Sequence, residues 1–192
     1  MADQSVGLVD TPVSDGRRRR GIEKRTRLLE AALRVIEAKG VAAASQRAVA
    51  AEANVSPTLV VYHFDTVEKM LAEALAMSNN RYLDQARSAI AQGRDPVDAL
   101  AEMIAASADS NHAAIAEFEL CLQAARDPRL RKSLEQWWNA VDEMLRGAVP
   151  DARRRRVLML AADGMFLRQI VPGQRMQRPE ILAILRSVAS GH

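Results

Sequence analysis

Cysteine is nearly absent from this sequence, Cys121 standing alone among 192 residues. That excludes an internal disulfide framework and a cysteine-rich zinc site, and it suits a reducing compartment. Histidine is almost as scarce: His63, His112 and His192 stand at no metal-ligand spacing, so neither a metal nor a cofactor is expected. The nine glycines are scattered singly, which excludes a phosphate-cradling glycine loop. No Gly-x-Ser-x-Gly nucleophile elbow occurs, and Glu117 and Glu119 fall on opposite sides of one helix, where they cannot share acid–base chemistry. The chain is not expected to be an enzyme. No run of about 18 apolar residues is present to span a bilayer. The first sixteen residues carry Asp3, Asp10 and Asp15 and no apolar block, a polar tail rather than a leader. Aromatics make up only 4%, against 48% apolar residues in the broad count. What is left is an expected cytoplasmic protein, rich in alanine and leucine. Its length allows one large domain or two small ones, with ample core in either case.

Charge is present but unevenly placed. Residues 1–15 hold three acids and no base, residues 16–64 hold ten Lys/Arg against four acids, and residues 65–192 hold seventeen of each sign. A segment of about fifty residues with a large positive excess, followed by a neutral body, fits a polyanionic partner docking on the first third. A merely solvated basic helix face would give the same totals.

The apolar period is helical from residue 17 onward, with no strand alternation. Ile22, Leu29, Leu33 and Ile36 share one face of a first helix, which Gly40 can end. Two short helical stretches follow, Ser45–Ala53 and Pro57–Phe64. Between them Asn54 tolerates the positive φ of a tight turn. Ser56 then offers an N-cap oxygen and Pro57 sits where its missing N–H costs nothing. A long helix is expected from about Thr66 to Gln92, then one carrying Val97, Leu100, Ala101 and Ile104 inward, and another over 112–125. Further helices are expected over 128–147, 152–171 and 179–189, divided by Asp127-Pro128, Gly147 with Pro150, and Pro172-Gly173. The fold class is all-α.

Two short helices joined by a tight turn are more often simple packing than a DNA reader. Here the unit lies inside the positive segment, behind the basic arm Arg17, Arg18, Arg19, Arg20, Lys24, Arg25 and Arg27. Its second helix displays Thr58, Leu59, Tyr62 and His63, side chains able to touch base edges and phosphates. The run from Arg27 to Ala32, Gly40, the run from Arg47 to Ser56, Tyr62-His63-Phe64 and Glu68 to Leu71 together resemble the N-terminal domain of the TetR family of transcriptional regulators. The resemblance covers about residues 20–75; beyond that only size and helical layout are similar. Asn54 stands at the family's usual turn glycine, Val61 at its usual recognition-helix tyrosine, and Val67 at a common lysine, for which Lys69 is the nearest substitute.

The resemblance implies an N-terminal three-helix, helix-turn-helix DNA-binding domain (17–65) behind a disordered tail (1–16). A C-terminal helical ligand-binding and dimerisation domain (66–192) would follow. Ser45, Gln46 and Arg47 would touch the DNA backbone. Ser56, Pro57, Thr58, Leu59 and Tyr62 would face bases or phosphates, with His63 at the helix end, Lys69 beyond it, and Arg17–Arg20 adding sequence-independent attraction. The implied protein is a ligand-responsive repressor that binds a palindromic operator as a dimer. The last two helices would pair with their copies through Val157, Leu160, Ala161, Gly164 and Leu167, and through Ile181, Leu182, Leu185 and Val188. The alternative is a helical interaction scaffold without sequence-specific DNA binding. Within the body, Glu119 and Arg168 are charges on apolar faces, and each must meet a partner or a ligand. They either pair with each other or Glu119 anchors a lipophilic, cationic effector in a pocket with Met103, Phe118, Leu122, Trp137, Trp138 and Arg168. Arg153–Arg156 reads as surface or interface pairing.

Overall fold

In a computed structural model that describes residues 12–108 and 111–191, those residues form helices and no strand. Among them nine α-helices follow one another: α1 (Pro12–Lys39), α2 (Gln46–Glu52), α3 (Pro57–His63), α4 (Val67–Ala91), α5 (Pro96–Ala106), α6 (Asn111–Ala124), α7 (Pro128–Leu145), α8 (Ala152–Ile170) and α9 (Arg178–Ser190). A 3-10 turn, Val41–Ala43, joins α1 to α2.

The starts are written by caps. Ser45, Ser56, Thr66, Asp95, Asp127 and Asp151 each accept a first-turn N–H, satisfying donors that a helix cannot pair internally. Proline opens α3, α5 and α7. It also opens α1, which begins at Pro12 rather than after residue 16. The polar tail expected to run through residue 16 is therefore too long by its last residues. A proline at the first helical position and a following arginine run both favour continuing the helix. Residues 1–11 lie outside the described residues. Gly40 ends α1 with φ 81° and ψ 164°, a conformation essentially reserved for glycine.

Two buried clusters run through the molecule. The first joins Leu28, Ala31, Ala32, Val35 and Ile36 of α1 to Val49, Val60 and Phe64 of the helix-turn-helix and Met70, Ala74 and Leu75 of α4. Ala116, Leu120, Ala124 and Leu130 of α6 and α7 close it. The second joins Leu83 and Ala86 of α4 to α5, the far half of α7, α8 and α9. α4 thus belongs to both.

The last two helices divide differently from expectation. Ile181 and Leu185 are fully buried and complete the protomer's own core, so they cannot meet a second copy. Val157, Leu160 and Leu167, in contrast, lie exposed on the outer side of α8, Leu160 at 66%, with Val171 just after that helix and Ile184 on α9 also exposed. The core face of α8 is Leu158, Ala162, Met165, Gln169 and Arg155. Gln169 is fully buried because its amide donates to Ile104 O and Met176 O and accepts from Met176 N–H, pinning the α8–α9 turn. Arg155, expected at the surface, is buried against Asp142 (2.8 Å) and donates to Val149 O and Pro150 O. Its guanidinium thus meets a carboxylate and two carbonyls. Its neighbour Arg154 stays exposed, donating to Ser190 O at 3.4 Å. Removing one member of a buried ion pair strands the other, so Arg155→Ala should lower the unfolding free energy in urea by about 3 kcal/mol, whereas Arg154→Ala should change it by less than about 0.5 kcal/mol.

Candidate functional sites

The helix-turn-helix turns on Asn54, whose φ of 52° is the one positive value among the described non-glycine residues. Its neighbours close the turn through Val55 N–H to Ala50 O at 2.9 Å. Ser45 and Ser56 spend their hydroxyls on the N-termini of α2 and α3, accepting from Ala48 and Leu59 N–H. Arg47, Pro57, Thr58 and Tyr62 are exposed, Tyr62 at 82%, and Leu59 is half-buried. Arg18, Arg19 and Arg20 are exposed on α1; the side chain of Arg17 lies outside the described residues.

Gln46 and Lys69, also expected at the DNA, are likewise engaged within the protein. Gln46 donates to Phe64 O at 2.7 Å, tying the start of α2 to the end of α3. Lys69 pairs with Asp65 at 2.8 Å. Its hydrogen bond, with Arg129 adding to the field, holds the Asp65 carboxyl below its usual range. His63 is kept neutral: burial first, then the Arg25 and Lys24 charges, push its pKa down. Arg25, expected in the basic arm, turns inward instead. It bonds Glu73 through its Nε and Nη2 (2.9 and 2.5 Å), donates from Nη1 to His63 O at 2.5 Å and lies 4.3 Å over the Phe64 ring. One side chain on α1 therefore fixes the end of α3 to α4, because a bidentate fork and a ring face hold it from several sides.

The second site is a cavity of about 220 Å³ between α4, α6, α7 and α8. It is lined by Asn79, Tyr82, Glu117, Phe118, Cys121, Leu134, Trp137, Trp138, Asp163 and Phe166. Tyr82 and Trp137 meet edge to face with centroids 6.4 Å apart. Ser78 Oγ donates to Glu117 Oε1. Burial pushes the Glu117 carboxyl up to about 7 although Ser78 and Tyr82 hydrogen-bond to it. Burial, reinforced by the Glu117 charge, likewise raises Tyr82, and it lifts the Cys121 thiol to about 11, leaving it unreactive. Asp163 is desolvated on the cavity side and its pKa is also raised. Asn79 Nδ2 is buried with no partner among the described residues. A wall half made of aromatic rings, with Glu117 forming no ion pair among the described residues, suits a flat, positively charged organic molecule.

Of the residues expected in a pocket, Phe118, Trp137 and Trp138 come together here and the others do not. Met103 is buried in the second core, and Leu122 is 74% exposed. Arg168 is exposed and donates to Gln174 Oε1 at 3.0 Å. Glu119 points away from the cavity and accepts from Val41 N–H at 2.6 Å, with its carboxylate against Gly40, 3.3 Å from where a Cβ would sit. It is neither paired with Arg168 nor an effector anchor. The α6 carboxylate that faces the cavity is Glu117. A helical wheel gives α6 one inner face, but Ala116, Leu120 and Ala124 pack on α1 while Glu117, Phe118 and Cys121 line the cavity. The signal that could have located it lies on α4, where Ser78, Asn79 and Tyr82 interrupt a buried apolar face. Among the described residues no cluster of metal-ligating side chains occurs and no helix is long and apolar enough to cross a membrane.

Residues 28–74 match the family described as bacterial regulatory proteins, tetR family, and residues 91–191 match the tetracyclin repressor-like C-terminal domain. Among solved structures, a member of the TetR family from Streptomyces coelicolor A3 is similar at a TM-score of 0.77 and 28% identity, with 86% of this chain and 98% of that one covered. The multidrug binding protein EbrR complexed with ethidium is similar at 0.70 and 29% identity, with 86% and 98% covered. No curated protein sequence matches.

A carboxyl whose folded pKa is raised takes up its proton preferentially in the folded state, so stability falls as pH rises from the usual 4.5 toward about 7 and stays low above it. Wild type should lose on the order of 2 kcal/mol more than Glu117→Gln between pH 5 and pH 8 in urea unfolding.

Proposed function

The chain belongs to the TetR family of DNA-binding transcriptional regulators, and on that premise we propose that it is a repressor released from a palindromic operator by a lipophilic cation. The regulator is not an enzyme; its chemistry is differential binding. α3 would enter the major groove with Thr58 and Tyr62 toward the bases, while Arg47 and the arginines of α1 meet phosphates. A single α3 reads too few base pairs, so two copies would pair through the exposed outer side of α8, where Val157, Leu160, Gly164 and Leu167 lie.

The observation that carries the reading is the double attachment of α6. Its Glu117, Phe118 and Cys121 line the cavity, and its Glu119 holds the backbone at Val41, immediately before the helix-turn-helix. Drug-sized ligands need roughly 300–1,000 Å³, more than the cavity offers. Entry would therefore push α6, α7 and α4 apart, and α6 cannot move without pulling on Val41. Operator affinity falls only if the liganded state disfavours recognition helices one helical turn (about 34–36 Å) apart. EbrR binds ethidium, and the Glu117 side of this cavity has the chemistry to hold such a cation.

Ethidium titrated calorimetrically should bind wild type and Glu119→Gln similarly, and Glu117→Gln at least about tenfold more weakly, the cost of losing one desolvated charge partner. Equal affinity in wild type and Glu117→Gln would overturn the effector assignment. On a duplex recovered by the protein from a random pool, Arg47→Ala should weaken binding, and replacing Arg17–Arg20 with alanine should chiefly flatten its salt dependence. Unchanged anisotropy titrations at two salt concentrations would overturn the DNA assignment.

A further inference from the structure

The neutral sum over residues 65–192 conceals a local excess at the turn between α6 and α7. Arg126, Arg129, Arg131 and Lys132 crowd into seven residues whose lone acid is Asp127. That acid is spent capping α7, accepting from Arg129 N–H at 2.8 Å. All four cationic residues are exposed. Arg131 donates to the turn's own Ala125 O at 3.2 Å, and neither Arg126 nor Lys132 forms an ion pair among the described residues. Cations kept unpaired and solvated in a body that is balanced in sign are available to an anion.

Their position in the fold says which anion. α7 runs alongside α4 in the same direction: Arg129 meets Thr66, Ser133 meets Ala72 O, and Trp137 meets Tyr82. The α6–α7 turn therefore lies level with the α3–α4 junction. Arg129 Nη1 donates to Thr66 Oγ1 at 3.1 Å, two residues past Phe64, where α3 ends. Of the acids at that junction, Asp65 is already answered by Lys69 at 2.8 Å, and Glu68, exposed in the first turn of α4, offsets only one of the four cations. The patch is contiguous with the helix-turn-helix although it belongs to the body.

We propose that the α6–α7 turn, through Arg126, Arg129 and Lys132, is a second contact with the phosphate backbone of the duplex read by α3. The proposal rests on the DNA-binding reading above. It places sequence-independent affinity on the two helices that line the effector cavity, since Phe118 and Cys121 lie on α6 and Trp137 and Trp138 on α7. A ligand that spreads those helices then moves a DNA contact directly, in addition to whatever reaches Val41 through Glu119.

The test uses the full chain and the duplex it selects from a random pool, with affinity measured by anisotropy over a salt series. Removing one phosphate contact should make the plot of log K against log salt shallower by about 0.9. Arg126→Ala/Lys132→Ala should flatten it by about 1–2 and weaken binding by about three- to tenfold per contact at low salt, equally on selected and random duplexes. Arg126→Glu/Lys132→Glu should weaken it further. Both positions are exposed and unpaired, so melting temperatures should match wild type. If both double variants keep the wild-type slope and affinity while Arg47→Ala binds more weakly, the patch is overturned and the helix-turn-helix reading stands. If wild type itself prefers no duplex, both readings fall together.

Discussion

The helix-turn-helix of this protein does not own its core. Phe64, Val60 and Val49 are fully buried, but the cluster that buries them is completed by Leu120 and Ala124 of α6 and Leu130 of α7. About fifty residues bury too small a fraction of their surface to be comfortably stable alone. Borrowing apolar area from the body solves that problem, and it has a mechanical consequence. Close-packed interiors do not deform smoothly, so α6 and α7 cannot shift without α1 or α4 shifting as well. Arg25 extends the same constraint in polar form, since its fork on Glu73 and its bond to His63 O make the end of α3 follow α4.

Most of the fold is legible in the sequence because its punctuation is local. Asn54, Ser56 and Pro57 act within a few residues of themselves, and so do Asp95-Pro96 and Asp127-Pro128; each produces the turn or cap its chemistry implies. The site is less legible because its decisive choices are long-range. Whether Glu117 or Glu119 faces a cavity depends on which of two partners packs on each side of α6, and those partners lie about forty and eighty residues away. The family resemblance marks Gln46 for DNA, and position in a basic arm marks Arg25. Only the packed structure shows that the Phe64 and His63 carbonyls claim them. On α9 the apolar residues are plain from periodicity, but periodicity cannot say which neighbour a face serves. Ile181 and Leu185 serve the protomer.

The two acids on α6 show how similar side chains acquire opposite duties. Glu119 meets a backbone N–H at the glycine that ends α1, where a Cβ would crowd its carboxylate. It is satisfied, and its work is attachment. Glu117 has Ser78 and Tyr82 for company, neither of them charged, and burial outweighs what they give. A carboxylate desolvated with no cation beside it carries an uncompensated cost. The same cost becomes a source of selectivity once a cation enters, because neutral molecules of similar shape cannot recover it.

A ligand shifts a conformational equilibrium only by its difference in affinity for the two states. In the proposed mechanism that difference has a physical origin. The cavity of about 220 Å³ is smaller than the pockets that take drug-sized ligands, so a state with α4, α6 and α7 spread apart would be the one to hold such a cation with Glu117 ionised against it. The unliganded protein resists that state through the apolar cluster shared with the helix-turn-helix, which is the force that holds α1 and α4 in place. Binding and reading therefore compete for one set of contacts. Strengthening that packing would tighten operator binding and weaken the cation by linked amounts, since coupling between two equilibrium sites is reciprocal.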